Sequence, residues 1–139
     1  MLVSAKAEYA CLAVMELALR HGGRRPVRLP EIADRHAIPH RFLVQILLQL
    51  KGAGLVASTR GAAGGYHLAR DPGDVTLADV LDVVDPPETA GGSRKKDVSP
   101  LLAALRDKWD EINSARREVL ESTTVSDLVA AGQGIQYVI

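Results

Sequence analysis

The clearest hydrophobic pattern in the chain lies in Pro39–Gly52, where Phe42, Leu43, Ile46, Leu47 and Leu50 recur at offsets of three and four. That spacing predicts a helix with one apolar stripe, leaving His40, Arg41, Gln45, Gln49 and Lys51 to face outward. Gly52 and Gly54 stop it, and a β-prone run, Leu55–Thr59, follows. Arg60-Gly61-Ala62-Ala63-Gly64-Gly65 then leads to a second short strand near Tyr66–Leu68. Gly64-Gly65, able to take positive φ, is expected at the hairpin tip. A helix with a polar outer face followed by such a hairpin describes a winged helix, which can place the helix in a major groove and the wing in a minor groove.

The flanking patterns fit this centre. Ser4 is expected to cap a first helix running to about His21, buried through Cys11, Leu12, Met15, Leu17, Ala18 and Leu19. Pro30–His36 is a short second helix and Ile38-Pro39 the turn into the third, a helix-turn-helix arrangement. Asp71–Asp74 is a turn, and Thr76 caps a helix over Leu77–Val84. Pro86-Pro87 closes this part, and Gly91-Gly92-Ser93 with Arg94-Lys95-Lys96 reads as a linker. Ser99-Pro100 opens a long helix whose stripe Leu102, Leu105, Trp109, Ile112 and Val119 is interrupted by Arg116. One helix outside a small domain cannot bury that stripe alone, so a homodimer is expected. Ser122-Thr123-Thr124 breaks it and caps a last helix, Val125–Ala131. The fold class is therefore mainly α with a small β-hairpin wing. Expected boundaries are 1–85 for a winged helix-turn-helix domain, 86–98 for a linker, 99–131 for dimerisation helices and 132–139 for a flexible tail.

Charge sharpens the reading. The formal net charge is zero, yet residues 1–70 hold ten Lys or Arg against four Asp or Glu, whereas residues 71–139 hold seven against thirteen. A basic front and an acidic rear favour polyanion binding by the first half. No apolar run is long enough to span a bilayer, and the N-terminal segment makes a poor signal peptide, so no membrane association is expected. The lone Cys11 permits no intrachain disulfide and fits a reducing cytoplasm. Glu8, the four histidines and Cys11 match no metal-ligand spacing, and His36 and His40 are separated by the Ile38-Pro39 turn; neither metal nor cofactor is expected. No phosphate loop, nucleophile elbow or HExxH is present, which argues against an enzyme. The rival is a protein–protein regulatory module acting on a metabolic enzyme through its C-terminal tail; it would explain the long helix but not the basic front half.

Together these residues resemble the Rrf-two family of bacterial transcription regulators. The match rests on Ser4-x-Lys6-x-x-Tyr9, Glu31-Ile32-Ala33, Phe42-Leu43-x-Gln45-Ile46-Leu47 and Ala53-Gly54-Leu55-Val56. It continues through Arg60-Gly61-Ala62-x-Gly64-Gly65-Tyr66-x-Leu68-Ala69, the most specific stretch, then Thr76-Leu77-x-Asp79-Val80 and Ser122-Thr123-Thr124-x-x-Asp127-Leu128. The resemblance implies a homodimeric repressor that binds double-stranded DNA at a palindromic operator. It places His40, Arg41 and Gln45 in the major groove, and Arg60, Gly61, Gly64 and Gly65 at the minor groove and phosphates. Ser4, Lys6, Tyr9, Arg28 and Tyr66 are the remaining DNA-contact candidates, although Tyr9 and Tyr66 suit packing equally well. Cluster-binding members carry three cysteines before the dimer helix, and Asp85–Pro100 has none. The chain is thus most similar to the family's cysteine-free cysteine-metabolism repressors, which are controlled by complex formation with O-acetylserine sulfhydrylase. That enzyme accepts a C-terminal isoleucine, so Tyr137, Val138 and Ile139 are its candidate contact here, the alternatives being a loose end or a tail folded on the dimer partner.

Overall fold

The structure is a computed structural model, and it describes residues 3–23, 25–62, 64–87 and 99–136. Six helices and one hairpin follow in the order α1 (Ala5–Leu19), α2 (Leu29–His36), α3 (His40–Gly52), β1 (Val56–Thr59), β2 (Gly65–Leu68), α4 (Leu77–Val84), α5 (Pro100–Ser122) and α6 (Val125–Gln136). A 3-10 turn, Pro72–Asp74, joins β2 to α4. The linker residues 88–98 and the terminal Tyr137–Ile139 lie outside the described residues.

Local chemistry sets most of these boundaries. Ser4 Oγ accepts from the Ala7 N–H at 3.1 Å, and Ser99 Oγ accepts from the Leu102 N–H at 3.2 Å. Thr76 and Asp79 form a reciprocal capping box at the start of α4. Thr124 and Asp127 do the same for α6: each backbone N–H donates to the other's side-chain oxygen at 3.1 Å. Ala37 closes α2 in the left-handed region with φ 53, which turns the chain into α3.

The core is built where α1 crosses α3 and α4. Its α1 face is Ala7, Ala10, Ala13, Val14 and Leu17, small enough for the helix to lie close to its neighbours. This differs from the expected set: Cys11, Leu12, Met15 and Ala18 are only half-buried around that core, and Leu19 is exposed. From α3 come Leu43, Ile46, Leu47 and Leu50, all fully buried. Phe42, expected in that stripe, is 40% exposed. A face of about 100° holds three or four residues per two turns, and Phe42 falls beyond its edge. Val80 from α4, Val125 from α6 and Val75 just after the 3-10 turn complete the packing.

β1 and β2 pair antiparallel in the register Val56 to Leu68 through Thr59 to Gly65. Val27 adds a bridge on the other side of β2, exchanging both backbone hydrogen bonds with Tyr66 at 2.8 Å. The glycines serve the wing differently from the expected positive-φ tip. Positive φ occurs at Gly61 (φ 106), while Gly64 and Gly65 are needed for close approach. A Cβ on Gly64 would stand 2.2 Å from the Thr59 carbonyl oxygen, and one on Gly65 2.5 Å from that of Val27.

The last helix continues to Gln136, five residues beyond the expected end at Ala131, so Gly132–Gln136 are helical and the expected tail begins inside α6. Glycine disfavours a helix interior by only about 1 kcal/mol each, and α6 packs on α1 and on the 3-10 turn.

Candidate nucleic-acid interface

The outward face of α3 follows from its buried face. With Leu43, Ile46, Leu47 and Leu50 turned inward, Arg41, Val44, Gln45 and Leu48 are left on the solvent side, and all four are exposed. The sequence pattern singled out Arg41 and Gln45 but not Val44 and Leu48; the same 3.6-residue period places them there. His40, at the helix start, is exposed and lies 3.7 Å from the Asp34 carboxylate. The Arg41 guanidinium sits over the Phe42 ring at 5.0 Å from its centroid, which gives exposed Phe42 a role in holding Arg41 against the helix surface.

The wing follows α3 in the chain, and its first strand packs against that helix. Arg60 and Gly61 are exposed at its start. The Gly64 N–H donates to the Gly61 carbonyl at 2.9 Å and closes the loop. Arg28, expected as a DNA contact, donates from its guanidinium to the Ala62 carbonyl and so ties the wing loop to the beginning of α2. A cleft of about 480 Å³ runs between these parts, walled by Arg28, Pro30, Thr59, Gly61 and Tyr66.

The remaining expected contacts divide. Ser4 is exposed but its Oγ is engaged as the α1 cap, and Lys6 is half-exposed one residue into the helix. Tyr9 and Tyr66 are half-buried against the core. Gly64 and Gly65 are accounted for by the backbone approaches within the wing.

One charged group is buried outside this surface. Glu16 on α1 is 3% exposed, and its carboxylate receives Arg20 Nε at 3.3 Å, Arg35 at 3.4 Å and His36 Nε2 at 2.9 Å. Nothing in the apolar periodicity announces it. The network fastens α2 to α1 behind the recognition helix.

On α5, Leu101, Leu102, Leu105, Trp109 and Ile112 are all exposed, as is Val119 nearer its end. Leu101 extends the expected stripe. No described helix is long and apolar enough to cross a membrane.

A helical core, a helix-turn-helix whose second helix exposes Arg41 and Gln45, and a hairpin wing with exposed Arg60 define a winged-helix DNA-binding protein. The comparisons give it a family. The profile of Rrf2, described as "Iron-dependent Transcriptional regulator", matches residues 3–131, and the chain belongs to this family. It is 37% identical over 136 residues to the HTH-type transcriptional regulator CymR of Bacillus subtilis, covering 98% of this chain and 95% of that one. It is 41% identical over 135 residues to a Mycobacterium tuberculosis protein named as an HTH-type transcriptional regulator, covering 95% and 83%. Among solved structures it is similar to CymR, the global cysteine regulator of B. subtilis, with TM-score 0.81, 36% identity and coverage of 94% and 98%. It is also similar to IscR of T. potens, with TM-score 0.82, 35% identity and coverage of 98% and 91%.

The iron in the family description meets a poor donor set here. The chain has one cysteine, and the segment before α5 has none. Burial, with a smaller contribution from Glu8, pushes the Cys11 thiol up to about 11, which opposes the thiolate a metal needs. Among the described residues no three His, Cys, Asp or Glu side chains are grouped to hold a metal ion. These residues do not fit an iron–sulfur cluster.

Proposed function

We propose that this regulator binds a two-fold-symmetric operator as a homodimer and represses transcription without a cluster. The observation that carries the reading is the exposed α3 face, Arg41, Val44, Gln45 and Leu48, on the helix against which the wing's first strand packs. Arg41 suits a guanine edge, Gln45 an adenine edge, and Val44 and Leu48 thymine methyl groups. Arg60 and the wing suit the minor groove and phosphates, where charge and groove width count more than base identity. The exposed α5 stripe supports dimerisation, because a contiguous exposed apolar patch marks an interaction surface. Two α3 helices related by a dimer axis would meet half-sites about 34 Å apart, one helical turn of DNA.

Similarity to CymR, the global cysteine regulator of B. subtilis, supports cysteine metabolism as the regulated pathway, and the resemblance of the residues alone suggests O-acetylserine sulfhydrylase as the partner. Titrating that enzyme into the protein–DNA complex tests the second point: a change in retained complex supports it, and none removes it.

The main experiment is a gel shift on genomic fragments at low and moderate salt, followed by sequencing of the bound fraction. A dimer on DNA gives bands that weaken steeply with salt and an enriched inverted repeat. Salt-insensitive or absent retention would favour the protein–protein module instead.

A further inference from the structure

We infer that Asp82 and Arg117 form a clamp that fixes the angle between the DNA-binding unit and the dimer helix, and thereby the spacing of half-sites the protein accepts. The inference rests on the proposed dimer reading and goes beyond it.

The clamp joins α4 to α5. Arg117 donates through both terminal nitrogens to the two carboxylate oxygens of Asp82, at 2.7 and 2.8 Å, and its Nε donates to Glu121 at 2.7 Å. A planar guanidinium held on three sides has one orientation, so the pair restrains direction as well as distance. Asp82 is held below the usual carboxylate range by the Arg117 hydrogen bonds, so the pair is fully charged at neutral pH.

A second anchor lies one and a half turns further on. The Leu77 N–H donates to the Thr123 carbonyl at 2.9 Å, and the Val125 N–H to that of Val75 at 2.8 Å. This bridge ties the C-terminal corner of α5 to the start of α4. Without the clamp only Leu120, packed on the core between the two anchors, would resist a pivot of α5 about Thr123. Two anchors, about 9 Å apart along the helix at 1.5 Å per residue, set a direction.

That direction matters because α5 is long. From Arg117 back to Pro100 the helix projects about 25 Å. A 10° swing at the clamp would move its far end by about 4 Å, more than the rise of ~3.4 Å between base pairs. In a symmetric dimer the error enters twice. Both side chains are partly solvent-exposed, and exposed ion pairs contribute little to folding stability. The bidentate geometry is therefore better explained by positioning than by stability.

The test is selection from a library of paired half-sites with randomised separation, run with the parent full-length protein, Asp82→Asn and Arg117→Gln. Size exclusion confirms the dimer, and a single half-site reports the α3 surface. The parent should enrich one separation. Each variant should keep the dimer, the half-site affinity and a near-parental Tm, yet accept separations one or two base pairs away with about tenfold less discrimination. Asp82→Glu, which keeps a carboxylate for Arg117, should restore much of the preference. Distances between spin labels placed on the two wings give a readout without DNA, and their distribution should broaden in both variants. Unchanged spacing preference and unchanged label distances in intact dimeric variants would overturn the clamp. A parent that is monomeric, or that enriches no paired half-sites, would overturn the dimer reading and the clamp with it.

Discussion

His36 Nε2 lies 2.9 Å from Glu16 Oε1, joining the end of α2 to a carboxylate sealed inside α1. Arg20 and Arg35 complete the shell at 3.3 and 3.4 Å, and no buried side-chain polar atom among the described residues lacks a partner. The site positions α2, and α2 leads through the Ala37 turn directly into the recognition helix. A charge in a position that periodicity assigns to packing is thus part of what holds α2, and through it α3, in place.

Glu16→Gln should destabilise the protein by about 1–3 kcal/mol, because the amide keeps the shape but loses charge-assisted bonds to three partners. The partners remain partly open to water, which keeps the loss below that for a fully buried pair. Urea unfolding should show a lower midpoint with an unchanged slope.

Gln45→Ala and Arg60→Ala should separate two kinds of contact. Gln45→Ala should relax preference at one operator position and cost roughly 1–3 kcal/mol there. Arg60→Ala should weaken all sequences alike and lower the slope of log affinity against log salt by about one unit. Fluorescence anisotropy on operator and scrambled duplexes distinguishes the two. Parental binding by both variants would remove the docking geometry.

Gly64→Ala should damage the wing selectively. Its Cβ would stand 2.2 Å from the Thr59 carbonyl oxygen, so the loop must open. Operator affinity should fall about tenfold or more, ~1.4 kcal/mol, while the helical core keeps its far-ultraviolet circular dichroism. Equal affinity would show that the loop relaxes without moving Arg60.

Leu105→Glu should convert the proposed dimer to monomer in light scattering and weaken binding to paired half-sites far more than to one. Leu105, Trp109 and Ile112 are exposed on α5, so the substitution leaves the domain core untouched. A variant that remains dimeric would place the interface elsewhere.

Cys11 should resist thiol reagents at pH 7–8 in the native protein and react quickly in denaturant. Its folded pKa is raised to about 11 by burial. Below about pH 8 both states carry the thiol and stability is indifferent to this group. As pH climbs toward 11 the unfolded state ionises first, so stability should fall across that window. Fast native labelling at pH 7 would contradict the burial.

Much of this architecture was legible in the residues themselves. Caps at Ser4, Thr76 and Ser99 act within three residues, the α3 stripe repeats on one helix, and the wing glycines fall within five residues of one another; such local rules give element order and fold class. The exposed stripe of α5 could also be read, since no partner for it exists nearby in sequence. Tertiary structure decided the rest. Whether Phe42 or Leu19 is covered depends on which neighbour arrives, and periodicity alone cannot place the edge of a buried face. Gly64 and Gly65 are required because the Thr59 and Val27 carbonyls approach them, a contact made across the hairpin and its bridge. Glu16 with His36, Arg28 with Ala62, and Asp82 with Arg117 lie 20, 34 and 35 residues apart. Pairings at such separations become favourable only after the core has brought α1, α2, the wing, α4 and α5 together, because closing those loops costs entropy that no local signal repays.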